Sequence, residues 1–178
     1  MTSRPTAPFD TPLQDHIPGQ TGPMQPKPDH GEESYKGSGR LQDKVAIITG
    51  GDSGIGRAIA IAFAREGADV VISFLPEEAA DARETASWVQ KAGRRFVLVP
   101  GDVKDRKICH EIIDRTMAEF GKIDVLVNNA AFQVERESLD DVSEDEWDDT
   151  FATNSGAAFR LTRLAVRHMK NGGSLIPP

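Results

Sequence analysis

The octapeptide Thr49-Gly50-Gly51-Asp52-Ser53-Gly54-Ile55-Gly56 follows directly on the apolar run Val45-Ala46-Ile47-Ile48. A strand that ends in a glycine-rich turn and feeds a helix limits the possible folds more than any other feature of the chain. The glycines let backbone pass close to a ligand, and the uncapped N–H groups and positive dipole end of the following helix attract phosphate. The helix is expected over residues 54–66, with Ile55, Ile59, Ala62 and Phe63 on one face and Gly67 as its stop.

The same alternation continues down the chain. Val70-Val71-Ile72 reads as a second strand, and Pro76-Glu77-Glu78 opens a helix that Gly93 closes. Pro and acids in a first turn, with Gly just past the end, is the arrangement helices prefer. Phe96 to Val99 is a third strand, followed by a helix over 104–120 ended by Gly121, and Val125 to Val127 is a fourth. Ser143 and Glu146 form a capping box that starts one long helix through Trp147, Phe151, Phe159 and Val166, closed by Gly172-Gly173. Ser174 to Ile176 then begins a fifth strand. Near-continuously apolar strands alternating with helices predict a doubly wound α/β fold of Rossmann type, a parallel sheet covered on both faces.

A chain of 178 residues supports one such domain. Its net charge of −7, with no Lys/Arg run to offset it, argues against a nucleic-acid binder. The single cysteine, Cys109, excludes an internal disulfide framework and is read as a packing residue. No apolar stretch approaches the roughly 20 residues of a membrane span. The N-terminus lacks the basic start and apolar core of a secretory signal, so a cytoplasmic location is expected. No metal-ligand set is assigned.

Residues 1–40 stand apart. They hold seven of the eleven prolines (Pro5, Pro8, Pro12, Pro18, Pro23, Pro26 and Pro28) and no periodic apolar pattern. Such a segment cannot bury enough surface to offset its ordering entropy, and is expected to be extended or disordered unless it wraps a neighbouring surface. Residues 41–178 are the domain proper.

Gly51 and Gly56 have the spacing of a Walker A loop, but Arg57-Ala58 stands where Lys and Ser/Thr are required. The GxGxxG dinucleotide pattern is also absent. What is present is TGxxxGxG through Thr49, Gly50, Gly54 and Gly56. With Asp102 after the third strand and Asn128-Asn129-Ala130 after the fourth, the chain resembles the short-chain dehydrogenase/reductase family. It looks most like bacterial members with a Pro-rich N-terminal extension, and the resemblance covers essentially the whole chain.

The resemblance implies a dinucleotide cofactor and hydride transfer to or from a small alcohol or carbonyl substrate. Thr49, Gly50, Ser53, Gly54, Ile55 and Gly56 are then expected to cradle the ribose and phosphates. Asp102 and Val103 are expected beside the adenine, Phe74 at the tip of the second strand, and Asn128 and Ala130 at the fourth. Ala131 replaces the glycine often found after Asn-Asn-Ala. Asn154 matches the family's catalytic asparagine, whose carbonyl holds a water in a proton relay.

NAD and NADP are not separated by the strand-two tip, Ser73-Phe74-Leu75, which carries neither acid nor base. Asp52 lies where relatives that prefer NADP often carry a base, which leans the expectation to NAD. Arg57 and Arg83 are the cations that could compensate.

The family's chemistry also needs a tyrosine as proton donor, a lysine four residues later and a serine on the fifth strand. The one tyrosine, Tyr35, has Gly39 four residues on, and the serine's position falls at the terminal Pro177-Pro178. The resemblance therefore predicts a chain cut near its fifth strand by a shifted frame or premature stop, inactive as it stands, with strand four almost an open edge. A non-catalytic dinucleotide-binding or regulatory module is the alternative. Full members form homo-oligomers, and the helices that usually build that interface are expected to be partly absent here.

Overall fold

The computed structural model describes Met24 and residues 27–177; most of the Pro-rich segment, including Pro5, Pro8, Pro12, Pro18, Pro23 and Pro26, lies outside the described residues. Five parallel strands alternate with helices. They are β1 (Val45–Thr49), α1 (Gly54–Arg65), β2 (Asp69–Phe74), α2 (Ala79–Lys91), β3 (Phe96–Pro100), α3 (Arg106–Phe120), β4 (Ile123–Val127), α4 (Glu144–Phe151), α5 (Ala158–Ala165) and β5 (Met169–Ile176). The strand order is β3-β2-β1-β4-β5, and every paired strand runs parallel. This is the doubly wound arrangement, with its order reversing between β1 and β4.

Period-two alternation along the strands divides the core into two layers. Ala46, Ile48, Val70, Ile72, Val125 and Val127 face α1 and α2, where they meet Ala60, Ala64, Ala82 and Val89. Ile47, Val71, Val99 and Leu126 face the opposite way and pack on Ile112, Cys109, Leu161 and Ala165 of α3 and α5. Ile47, Ile48 and Leu126 are wholly buried, each contributing about 1.5–3 kcal/mol relative to exposure. Cys109 is a packing residue, its Sγ donating to the Val103 carbonyl at 3.1 Å.

Three local expectations change. In α1 the buried face is Ala60, Ile61 and Ala64, while Ile55 is exposed and Ile59 and Phe63 only partly covered. Against the sheet itself α1 presents the small residues Ala60 and Ala64, with Ile59 and Phe63 packed at the side. The long helix is not continuous: α4 ends at Phe151, a π-helical segment covers Ala152–Ala157, and α5 stops at Ala165. Its Trp147, Phe151, Phe159 and Val166 are all exposed. Gly172-Gly173 does not close the helix but sits inside β5, where the register steps from Ile123 opposite Met169 to Val125 opposite Ser174. β5 therefore starts at Met169, pairs along β4 and covers it; among the described residues β3 and β5 are the outer strands of the sheet. The capping box is half made. Ser143 Oγ accepts the Glu146 amide at 3.1 Å, but the Glu146 carboxylate turns outward to Arg136 Nη2 at 2.6 Å.

The end of the Pro-rich segment is bound to α1 by polar contacts. Glu66, the C-terminal cap of α1, accepts the Tyr35 hydroxyl at 2.5 Å and the Ser38 and Arg40 amides at 2.9 and 2.8 Å. Arg65 donates to the Glu32 and Tyr35 carbonyls. Glu32 reaches Arg57 Nε at 3.1 Å, and Lys27 reaches Glu84 at 3.2 Å. Gly37 permits the crossing, since a Cβ there would lie 1.9 Å from the Arg65 carbonyl oxygen.

The Tyr35 hydroxyl and the two amides hold the Glu66 carboxyl down at about 2, below its ordinary 4.5. A carboxyl depressed on folding stabilises above its unfolded value and loses that contribution as pH falls through the folded one. Residues 35–40 are therefore expected to stay docked above pH 4.5 and to loosen as pH falls towards 2. In Glu66→Gln the amide hydrogens of Ser38 and Arg40 should exchange at least about tenfold faster at pH 7, as measured by NMR.

Candidate functional site

The carboxyl ends of β1, β2, β3 and β4 open into one cleft of about 480 Å³ at the point where the strand order reverses. That crevice is where open α/β sheets bind ligands. The chain turns sharply from β1 into it: Gly50 and Gly54 have φ of 60° and 51°, in the left-handed region that glycine tolerates. Ser53 precedes α1 without capping it through its side chain. The first N–H groups of α1 are thus left for an anion at the cleft. Nothing stands within 4 Å of where a Gly54 Cβ would be, so backbone is open to a ligand there.

Gly56 has the opposite reason to be glycine. A Cβ would lie 1.9 Å from the Gly50 carbonyl oxygen and 2.6 Å from Asn129 Nδ2. Its absence lets α1 cross directly over the end of β1.

Of the residues expected to bind cofactor, Gly50, Ser53, Gly54, Ile55, Phe74, Asp102, Val103 and Ala130 line the cleft. Thr49 and Gly56 lie beneath it. Thr49 Oγ1 donates to the Val127 carbonyl at 3.4 Å and accepts the Asn129 and Ala130 amides, each at 2.9 Å. That hydroxyl joins the ends of β1 and β4 and has nothing left to offer a cofactor. Asn129 completes the joint, its Nδ2 donating to the Thr49 and Gly50 carbonyls at 3.0 and 2.9 Å.

Asn128 faces elsewhere: its Nδ2 meets Thr162 Oγ1 at 3.4 Å, and it borders a separate hollow with Phe159 and Leu175. Asn154 is also outside the lining. Its Oδ1 accepts the Phe132 amide at 2.7 Å and its Nδ2 donates to the Phe132 carbonyl at 2.9 Å, which pins the loop after β4 against the cleft. The π-helical turn positions this side chain, and Arg160 supports the turn by donating to the Ala152 carbonyl at 3.4 Å.

The lining also takes in Asp52 of the glycine turn and Ser73 of the β2 tip, together with Glu77, Glu78, Lys104, Phe132 and Thr153, which belong to no motif. Lys104 is the one cation lining the cleft among the described residues, and it is anchored on Asp149 at 2.9 Å and Asp102 at 3.5 Å. Arg57 is fully buried between Glu32 and Glu84 (2.8 Å), and Arg83 is exposed and outside the lining.

The β2 end is acidic and closed. Asp52 is buried with Oδ2 lacking a partner, and Ser73 Oγ is likewise unpartnered. Glu78, in the 3₁₀ turn Pro76–Glu78, accepts the Leu75 amide at 3.3 Å. Burial raises the Asp52 carboxyl; burial and then the Asp52 charge push Glu78 up to about 7.

The family model described as short chain dehydrogenase matches residues 44–176. The uncharacterized oxidoreductase YhdF of Bacillus subtilis (strain 168) is 47% identical over 163 residues, which cover 92% of this chain and 56% of the relative. A short chain dehydrogenase from Burkholderia cenocepacia J2315, solved in complex with NADP, superposes with a TM-score of 0.72 at 38% identity, covering 76% of this chain and 55% of that one. Carveol dehydrogenase from Mycobacterium avium, in complex with NAD, superposes with a TM-score of 0.71 at 28% identity, covering 78% and 55%. The chain belongs to the short-chain dehydrogenase family. It spans about half the length of the relatives it matches.

Two consequences are measurable. Gly56→Ala should cost about 1–3 kcal/mol in urea unfolding, because the methyl group must displace backbone at the α1–β1 crossing. Glu78 has a folded value raised above its ordinary 4.5, so its contribution is intact below that pH and is lost as pH rises through about 7. Glu78→Gln should therefore raise Tm by about 2–4 °C at pH 8, with the gain vanishing by pH 4.5.

Proposed function

We propose that this chain holds a nicotinamide dinucleotide across the β1–β4 switch point, as the cofactor half of an NAD(P)-dependent oxidoreductase acting on an alcohol or carbonyl. The observation that carries the reading is the uncapped α1 N-terminus, opened to the cleft by Gly50 and Gly54. The polar surroundings fit the group: Asp52 Oδ2 and Ser73 Oγ are buried acceptors without partners in the same cleft. Ser53, Gly54 and the first turn of α1 hold the diphosphate, and Asp102 and Val103 flank the adenine. Ala130 and Phe132 line the wall after β4. When bound, the nicotinamide gives or accepts the hydride.

NAD is the favoured form. The cleft's only lining cation among the described residues is tied to two carboxylates, and Arg57 is sequestered by Glu32 and Glu84. A 2′-phosphate near Asp52 would meet an acid without a compensating base. Asn154 acts as a positioning residue through Phe132, beside any part in a proton relay.

The tyrosine and the lysine four residues after it that the family uses for proton transfer are not identified in these 178 residues. Tyr35, the single tyrosine, is outside the cleft and hydrogen-bonded to Glu66. One positioned acid/base group is worth about 10²–10⁴ in rate. The chain is thus read as binding cofactor without reducing a carbonyl. No helix among the described residues is long and apolar enough to cross a membrane, and a cytoplasmic setting is part of the proposal.

Titrating the chain with NADH, followed by calorimetry, tests the reading. Saturable binding in the micromolar range, with no hydride transfer to a panel of aldehydes and ketones, is the expected result. No binding up to about 1 mM would overturn the cofactor assignment, and measurable turnover would overturn the non-catalytic one.

A further inference from the structure

The peptide that joins Val103 to Lys104 stands just beyond β3, at the end of the cleft assigned above to adenine. Its N–H donates to Asp102 Oδ1 at 2.8 Å and so holds the carboxylate of a lining residue. Its carbonyl accepts Cys109 Sγ at 3.1 Å and Arg160 Nη2 at 3.5 Å. A peptide is planar, so whatever grips the carbonyl also sets the direction of the N–H. Arg160 of α5, itself outside the lining, therefore helps to orient Asp102.

The same nitrogen reaches further. Arg160 Nη2 also donates to the Lys104 carbonyl at 3.3 Å and to the Ala152 carbonyl, at the start of the π-helical segment, at 3.4 Å. Nε is buried without a partner, so the hold rests on the outer end of the guanidinium. Gly156 leaves room for that end: a Cβ there would lie 3.1 Å from Nη1 and 3.5 Å from Nη2. Each bond is long, but one charged donor shared by two segments keeps them in a fixed relation. Two residues on from Ala152, Asn154 grips the Phe132 amide and carbonyl at 2.7 and 2.9 Å. The π-helical turn thus stands between the loop after β3 and the loop after β4, tied to one by Arg160 and to the other by Asn154. Lys104, paired with Asp149 of α4 at 2.9 Å, adds a second tie on the β3 side.

Resting on the dinucleotide reading above, we propose that Arg160 is a positioning residue that couples the two walls of the cleft, adenine held at Asp102 tightening the wall at Phe132 through the π-helical turn. A ligand that orders the Val103–Lys104 peptide restrains the guanidinium, and the turn carrying Asn154 then opens less often. The adenine end of the cofactor does more than add affinity, because it steadies the wall after β4 for the rest of the ligand. Such coupling is reciprocal, so a group that orders Phe132 also raises affinity at Asp102.

The test uses AMP, which carries the adenine end alone. Calorimetry gives its affinity, and NMR gives the exchange rate of the Phe132 amide with and without saturating AMP, for the wild type, Arg160→Met and Gly156→Ala. In the wild type AMP should slow that exchange at least about fivefold. Arg160→Met should bind AMP about three- to tenfold more weakly, and at saturation the slowing should be lost. Gly156→Ala, whose methyl group crowds the guanidinium while leaving its charge, should weaken the slowing, which keeps the test open if Arg160→Met fails to fold. A loss of stability alone would speed exchange in the free and bound chain alike and leave their ratio unchanged. The same slowing in every folded variant with AMP bound, or no slowing in a wild type that binds AMP, would overturn the coupling alone. Binding of neither AMP nor NADH by the wild type would overturn the coupling and the cofactor reading together.

Discussion

The crossing of α1 over the end of β1 is the contact on which the rest of the molecule depends. Helix and strand can meet there only because Gly56 has no Cβ, and the Gly50 carbonyl occupies the space a methyl group would need. Asn129 fixes the same carbonyl from the β4 side, and Thr49 joins the β4 end to β1 through three hydrogen bonds. Loosening this joint would move the α1 N-terminus away from the crevice between β1 and β4. The sheet, the helix dipole and the cleft are therefore positioned by one small polar knot with almost no room in it.

Much of this architecture can be read from the residues. Strands buried on both faces appear as unbroken apolar runs, so β1, β2 and β4 are identifiable without any partner in view. Helix ends marked by glycine are also reliable where the glycine turns left-handed, as Gly121 does with φ of 70°. Gly172-Gly173 carries the same composition but answers a different constraint. It absorbs a register step between β4 and β5, which local sequence does not distinguish from a helix stop. Ile55 misleads for a related reason: it belongs to the apolar stripe of α1 by spacing, but the first turn of that helix stands at the cleft mouth.

The polar interactions are much less legible because they join residues distant in sequence. Glu66 looks like an ordinary helix-terminal acid, yet it gathers Tyr35, Ser38 and Arg40 and fastens the last part of the Pro-rich segment. Arg57 looks like a free cation beside the glycine turn, yet Glu32 from that segment and Glu84 from α2 enclose it completely. Composition announces the entropy of such a segment, and only the folded chain shows which charges hold it. The consequence reaches the cleft, since an arginine that could have served a phosphate is withdrawn by residues from another part of the chain.

Motif membership and ligand contact are thus different properties, and the glycine motif contains both. Thr49 and Gly56 are invariable in purpose: they shape the turn and touch no open space. Asn129 and Asn154 serve the same end, one at β1 and one at Phe132. Ser53 and Gly54 expose backbone to the cleft, and Asp52, between the two kinds, is buried with one carboxylate oxygen, Oδ2, left without a partner. A residue that gives a fold its shape has its hydrogen bonds completed by the protein, whereas one reserved for a ligand leaves some of them unmade. By that criterion the acids around β2, which belong to no motif beyond the glycine turn, are better candidates for recognition than several of the residues that reveal the family.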